Sequence, residues 1–292
     1  MTSAFPSSRR SSPIGVFDSG VGGLTVLRAL RARLPYETMI YLGDTARVPY
    51  GPKSPETIVA YAREAAGFLI GQGIKLLVLA CNTATVQALD TLRRDWPELP
   101  IVGVVEPGAE AAAAASKSGR IAVIATEGTI ASGAYDRAIL ARRPDATVIA
   151  RPAGLLVALA EEGWIADDDT IARAAAHRYL DPVLAERPDC LVLGCTHYPL
   201  LAGIIREVIG PDMALVDSST TTAAAVAAEL VRRGLDAPAG HASVRYLSTD
   251  GPTRFARLAT SFLGQPVPPD RIELVTLSEQ PAPAALVRAA AG

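Results

Sequence analysis

Two cysteines in this chain sit in matching surroundings. Residues 77–83 read LVLACNT and residues 191–197 read LVLGCTH. In both, an apolar run of strand length ends in one small residue, a cysteine and two polar residues, and a helix-compatible segment follows. A strand end that feeds a helix start collects backbone N–H groups and the positive end of a helix dipole, which favours thiolate over thiol. Cys81 and Cys195 are therefore both expected to be pre-set to ionise. Two like thiols suit the inversion of a carbon centre, where one group removes a proton from one face and the other returns a proton to the opposite face. Each has a candidate proton manager: Asp18, in a Gly-rich turn, for Cys81, and His197, two positions on, for Cys195.

Other chemistries use these residues less completely. A cysteine hydrolase built from Cys195, His197 and Asn82 leaves Cys81 idle. Zinc would accept Cys81, Cys195, His197 and Asp18 as four donors, so a metal stays open, although none is expected. A disulfide redox pair normally sits in C-x-x-C, which does not occur here. Pyridoxal phosphate needs a Schiff-base lysine, and of Lys53, Lys75 and Lys117 only Lys53 falls in a candidate site loop; no cofactor is expected. Cys190, inside an apolar strand, reads as a small buried hydrophobe. His177, on a helix, and His241, in a linker, read as surface residues.

What must position the thiols is an alternation of strands and helices. An apolar run at 14–17 leads into Asp18-Ser19-Gly20-Val21-Gly22-Gly23, whose glycines let a turn bring N–H groups toward an anion, with a helix over 24–34. The spacing is that of neither the dinucleotide nor the P-loop pattern. A strand over 38–43 ends at Asp44 and meets the proline-stiffened loop Val48-Pro49-Tyr50-Gly51-Pro52-Lys53; Ser54-Pro55 then opens a helix to about residue 72. Strand 76–80 delivers Cys81, and Asn82 and Thr83 suit the start of the next helix. After a strand over 100–105, a second series begins. It has strand 120–125 with Thr126-Glu127-Gly128-Thr129 at its end, a helix from about Ser132, strand 147–150, an apolar-then-acidic segment over 155–162, and a helix capped by Asp167-Asp168-Asp169. Strand 190–194 then delivers Cys195. A helix over 200–209, strand 214–216, a helix over 220–233, a Pro/Gly linker, strand 244–247, a helix over 252–263 and strand 272–277 complete the reading. This predicts an α/β fold with a mostly parallel sheet in each of two lobes.

Composition agrees and excludes some partners. With 292 residues and 49% hydrophobic content the chain can bury a large core divided between two lobes. A formal net charge of −2 offers no basic field for nucleic acid or an anionic membrane. An odd count of 3 cysteines argues against a disulfide framework and for a reducing, cytoplasmic setting. Residues 1–12 are Ser-rich with Arg9 and Arg10 but lack a following apolar stretch, so they read as a disordered tail, not an export signal. No run approaches the ~20 apolar residues of a membrane span.

Seven segments in register carry a more specific signal: Asp18-Ser19-Gly20; Gly43-Asp44-Thr45 with Pro49-Tyr50-Gly51; Ala80-Cys81-Asn82-Thr83; Val105-Glu106-Pro107-Gly108; Ala125-Thr126-Glu127-Gly128-Thr129; Gly194-Cys195-Thr196-His197-Tyr198-Pro199; and Thr249-Asp250-Gly251-Pro252. Together they closely resemble glutamate racemases, within the aspartate/glutamate racemase superfamily, over about residues 13–264. The resemblance implies cofactor-independent interconversion of L- and D-glutamate for peptidoglycan synthesis. It also implies two pseudo-symmetric lobes with the active site in the cleft between them. The first lobe is placed at 13–104 plus 215–280, the second at 105–214, and a frayed end at 281–292. By the family's motif Cys81 deprotonates D-glutamate and Cys195 L-glutamate, assisted by Asp18, His197 and an acid that is Glu161 or its neighbour Glu162. Asp18, Ser19, Pro49, Tyr50, Gly51, Asn82, Thr83, Thr129, Thr196 and His197 are the implied substrate contacts. A homodimer and a small-molecule substrate are the expected partners. Racemisation of aspartate, or plain binding of a small dicarboxylate, are the alternatives, since no residue here measures one methylene.

Overall fold

The central strands are nearly uninterrupted apolar runs because both of their faces are covered, the pattern of a parallel sheet between helical layers, whereas the outer strands are partly exposed and carry charged residues. The computed structural model describes residues 7–277. A helical turn, α1 (Ser7–Arg10), precedes β1 (Ile14–Asp18), α2 (Leu24–Arg33), β2 (Met39–Gly43), α3 (Pro55–Gly71), β3 (Leu76–Leu79), α4 (Asn82–Asp95) and β4 (Ile101–Gly103). A second series runs α5 (Val105–Ala115), β5 (Arg120–Ala125), α6 (Glu127–Ala131), α7 (Ala134–Arg142), β6 (Thr147–Pro152), α8 (Leu155–Glu162), α9 (Thr170–Leu184), β7 (Cys190–Gly194), α10 (Ala202–Ile209) and β8 (Ala214–Asp217). Then come α11 (Ser218–Arg233), β9 (Val244–Ser248), α12 (Pro252–Leu263) and β10 (Ile272–Leu274). Local chemistry starts these helices where the sequence indicates. Ser54 accepts from Thr57 N–H with Pro55 as the first helical residue, and Asp169 accepts from Ile171 and Ala172 N–H, so that acid serves as a cap.

The strands form a six-stranded sheet, β10-β9-β2-β1-β3-β4, and a four-stranded sheet, β6-β5-β7-β8, with every described pairing parallel. The two sheets repeat one plan. In β2-β1-β3-β4 and in β6-β5-β7-β8 the second strand of the series lies outside the first, and the third and fourth follow on the other side. The order thus reverses between β1 and β3 and again between β5 and β7, and the crevice beyond such a switch point is where open α/β sheets hold ligands. The residues at those strand ends are Asp18 and Cys81 in one lobe and Thr126 and Cys195 in the other.

One apolar cluster runs through both lobes, from Val16 and Leu27 through Val105 and Val226 to Val123 and Val192. The opposite faces of the sheets have their own cores, Phe17, Ile58, Leu79 and Leu92 in the first lobe and Leu156, Leu180, Leu193 and Ile205 in the second. Cys190, wholly buried in the shared cluster, packs as a hydrophobe, and burial, with Asp189 beside it, pushes its thiol up to about 12.

Four expectations are corrected. β8 pairs with β7, so the chain leaves the second lobe after Asp217 and not at 214. The helix expected from Ser132 starts at Ala134, after Gly133 takes a left-handed conformation, and a separate short helix, α6, precedes it where only a strand end was read. Cys195 leads into a 3-10 turn, Tyr198–Leu201, before α10. Residues 7–12, read as part of a disordered tail, carry α1 instead. There Arg10 meets Asp236 at 3.0 Å, and the Arg10 carbonyl accepts from Lys75 Nζ at 2.6 Å. Lys75 is buried against Glu37, and a buried cation needs such partners. The end expected to fray, 281–292, lies outside the described residues. No described helix is long and apolar enough to cross a membrane.

Candidate active site

A cavity of about 70 Å³ between the lobes is lined by Ser19, Pro49, Tyr50, Gly51, Cys81, Asn82 and Thr83 from one side and by Thr126, Glu161, Cys195, Thr196 and His197 from the other. Both cysteines thus open on one space, 7% and 6% exposed. Of the residues implied by the sequence, Asp18 and Thr129 stand behind the wall. Asp18 is 1% exposed beneath the Gly-rich turn, where its Oδ2 accepts from Gly20 N–H at 2.8 Å. Thr129 joins Thr83 and Thr126 in a hydroxyl cluster with oxygen separations of 3.0, 3.0 and 3.4 Å, and it is Thr126 that faces the cavity.

The two thiols have different surroundings. Cys81 is the N-cap of α4 and accepts from Ala84 N–H at 3.4 Å, with Ser19 Oγ also 3.4 Å away. The expectation that this strand end favours thiolate fails. Burial, reinforced by the negative charge of Asp18, outweighs these contacts and pushes the Cys81 thiol up to about 12. Asp18 is itself raised above the usual carboxylate range by burial, and its Oδ1 has no partner. Cys81 thus holds its proton through neutral pH.

On the other side His197 Nδ1 stands 3.7 Å from Cys195 Sγ, and Nε2 is 3.1 Å from Glu161 Oε1. Glu161, not the exposed Glu162, meets the histidine. Its second oxygen accepts from Arg254 Nη2 at 3.1 Å, a contact from α12 of the first lobe. Burial disfavours the imidazolium, but the hydrogen bonds to Cys195 and Glu161 and the charge of Asp18 outweigh it and raise His197 to about 10. The bond from His197 in turn holds Glu161 below its ordinary value, with Arg254 adding to it. Among the described residues no three of His, Cys, Asp and Glu gather as a metal site.

Comparison with known proteins agrees with this geometry. A family model described as Asp/Glu/Hydantoin racemase matches residues 24–228. The glutamate racemase of Geobacter metallireducens is 51% identical over 253 residues, 86% of this chain and 92% of that protein. That of Syntrophus aciditrophicus is 48% identical over 264 residues, 90% and 97% of the two chains. The chain belongs to the glutamate racemase family. Solved glutamate racemases share its fold. A Bacillus anthracis isoform superposes with a TM-score of 0.88 at 35% identity, covering 93% of this chain and 100% of that one. The Francisella tularensis glutamate racemase, solved in complex with D-glutamate, gives 0.85 at 34% identity, covering 92% and 99%.

Three residues of this glutamate racemase site escaped the sequence reading as contacts. Thr126 was in a quoted motif, but Thr129 was preferred; with α6 starting at Glu127, Thr126 becomes its N-cap and turns to the cavity. Tyr135 OH donates to Asn82 Oδ1 at 2.8 Å, and Arg254 holds Glu161; both reach across the lobes from distant positions. His177 and His241 are exposed.

The paired histidine has a measurable titration. In the unliganded glutamate racemase His197 should keep its proton through neutral pH and lose it near pH 10. Because its folded pKa is raised, the stability from its pairing is fully present below about pH 6.5 and is lost as pH rises toward 10. Glu161→Gln removes the anionic partner and should move the titration down by about one to two pH units. Imidazole resonances followed against pH check this, and a His197 midpoint unchanged in Glu161→Gln contradicts it.

Proposed function

We propose that this glutamate racemase interconverts L- and D-glutamate by direct proton transfer at Cα between Cys81 and Cys195, with no cofactor. The observation that carries the reading is the placement of both cysteines, from matching strand ends of two lobes, on the wall of one small cavity. With L-glutamate, the Cys195 sulfur takes the Cα proton as an S–H bond, leaving a planar carbanion. Cys81 gives its own proton to the opposite face and is left as thiolate. The reverse reaction restores both, so no atom is gained or lost over a cycle.

The substrate's charges fit the surroundings. Its carboxylates suit neutral donors such as Ser19, Asn82 and Thr83, and its ammonium suits the buried Asp18. That ammonium would also lower the Cys81 thiol from about 12, since a positive charge nearby offsets part of the burial and of the Asp18 repulsion that hold the proton on the sulfur. His197 and Glu161 manage the proton at Cys195, and two thiolates at once are avoided because they would repel. The cellular reading is supply of D-glutamate for peptidoglycan in the cytoplasm, with the enzyme as a homodimer.

The test runs L-glutamate and D-glutamate separately in heavy water with EDTA and without pyridoxal phosphate, and repeats the assay with both enantiomers of aspartate. Early product of either glutamate reaction should carry deuterium at Cα while remaining substrate keeps protium. Optical rotation that stays constant for hours despite calorimetric binding would leave only a binding protein. Loss of turnover on adding EDTA would point to metal.

A further inference from the structure

Asn82, the first residue of α4, is 3% exposed, and the two ends of its amide are unequally served. Its Oδ1 accepts 2.8 Å from Tyr135 OH, which reaches over from α7 of the second lobe. Its Nδ2 is buried without a hydrogen-bond partner among the described residues, in a side chain that forms part of the cavity wall. An amide donor left unpaired in a buried wall is destabilising until a ligand completes it.

Tyr135 fixes which end is left over. A phenol has one proton to give, Tyr135 is 1% exposed, and no acceptor other than Asn82 Oδ1 is found for it among the described residues. An amide turned the other way would strand that proton. The ring cannot swing off, because it is packed against Gly194, where even a Cβ would come within 3.0 Å of its Cε2. Burial raises the phenol's pKa, so the proton stays in place. Asn82 therefore presents N–H and not oxygen to the cavity, a surface that accepts an anion and rejects a cation.

We propose that Tyr135 is a positioning residue for substrate recognition, locking the Asn82 amide across the lobe boundary so that its Nδ2 donates to a carboxylate of the substrate. This rests on the glutamate reading above, but not on which groups move the proton. Because the lock spans the lobes, the carboxylate site is complete only when they are together.

The experiment compares Tyr135→Phe, Asn82→Ala and the double variant, with KM and kcat measured for both enantiomers. Tyr135→Phe should raise KM about tenfold for L- and D-glutamate alike with kcat within about threefold, since a hydrogen bond to a charged group loses its orienting partner. In the Asn82→Ala background the same change should add no more than about twofold, because the amide it orients is gone. An unchanged KM in Tyr135→Phe, or an equal multiplicative rise in both backgrounds, overturns the proposal. Asn82→Asp provides a second measurement should Tyr135→Phe not fold. It keeps an acceptor for Tyr135 but turns oxygen toward the cavity, so calorimetric glutamate binding should weaken more than about tenfold; wild-type binding overturns the proposal. Turnover without deuterium uptake in the wild type would sink the two-cysteine scheme and leave these KM comparisons readable.

Discussion

Cys81→Ser and Cys195→Ser, each made alone, should each lower racemisation in both directions by about a thousandfold, the scale of losing a positioned acid or base. Serine keeps nearly the size and the hydrogen-bonding ability of cysteine but is a far weaker acid, so it donates its proton to the carbanion less readily and is not ionised to act as the base. Both directions fail in both variants because every inversion uses each sulfur once, as base in one direction and as acid in the other. The wall of the cavity changes by a single atom. Calorimetric binding of glutamate should therefore persist, which separates lost chemistry from a lost site. Full turnover by either variant is incompatible with the scheme. The unequal surroundings of the two thiols add a further expectation. Asp18→Asn removes the negative charge that helps hold the Cys81 proton, so the Cys81 thiol should titrate below about 12 in that variant.

The positions of these sulfurs could be read along the chain because a strand end followed by a capped helix is a local pattern. Helix starts at Ser54 and Asp169 were visible for the same reason, each being a side chain and an N–H two or three residues apart. The lobe pairing could also be inferred, since the segment that ends in Cys195 repeats the one that ends in Cys81. What the sequence did not disclose depends on the third dimension. The sign of the Cys81 shift turns on burial and on Asp18, which β1 brings beside β3 from far away in the chain. The choice between Thr126 and Thr129 turned on a short helix that starts at Glu127, several residues before the one read from the sequence. Tyr135 and Arg254 lie 53 and 93 positions from the side chains they hold, and neither has a residue type that announces such a role.

Gly22→Ala should reduce kcat/KM about a hundredfold while the protein still folds. The residue lies in the turn between β1 and α2, where its missing side chain is filled from the other lobe: a Cβ there would stand 2.4 Å from both His197 Cε1 and Thr196 Oγ1. Neither neighbour can give way freely. His197 is 8% exposed, is held by Glu161 at Nε2, and meets Phe262 edge-on at 5.2 Å between ring centres. Thr196 is 4% exposed, and its carbonyl accepts from Thr25 Oγ1 at 3.0 Å, while the same hydroxyl also binds the Gly22 carbonyl at 2.9 Å. The methyl group must therefore either turn the imidazole from Cys195 or part the lobes at this seam. A displacement near 1 Å in a proton-transfer site costs about a hundredfold in rate, whereas overpacking of this size destabilises by about 1–3 kcal/mol, which a domain of this size survives. Gly71→Ala is the control, since a Cβ there meets nothing within 4 Å. It should leave kinetics unchanged and remove the entropic cost of glycine in a helix, about 0.5–1 kcal/mol. Steady-state rates and thermal melts of the two variants separate the cases. Gly22→Ala activity within about twofold of wild type would mean that the seam yields without moving His197, and that its fit against the first lobe does not set the geometry at Cys195.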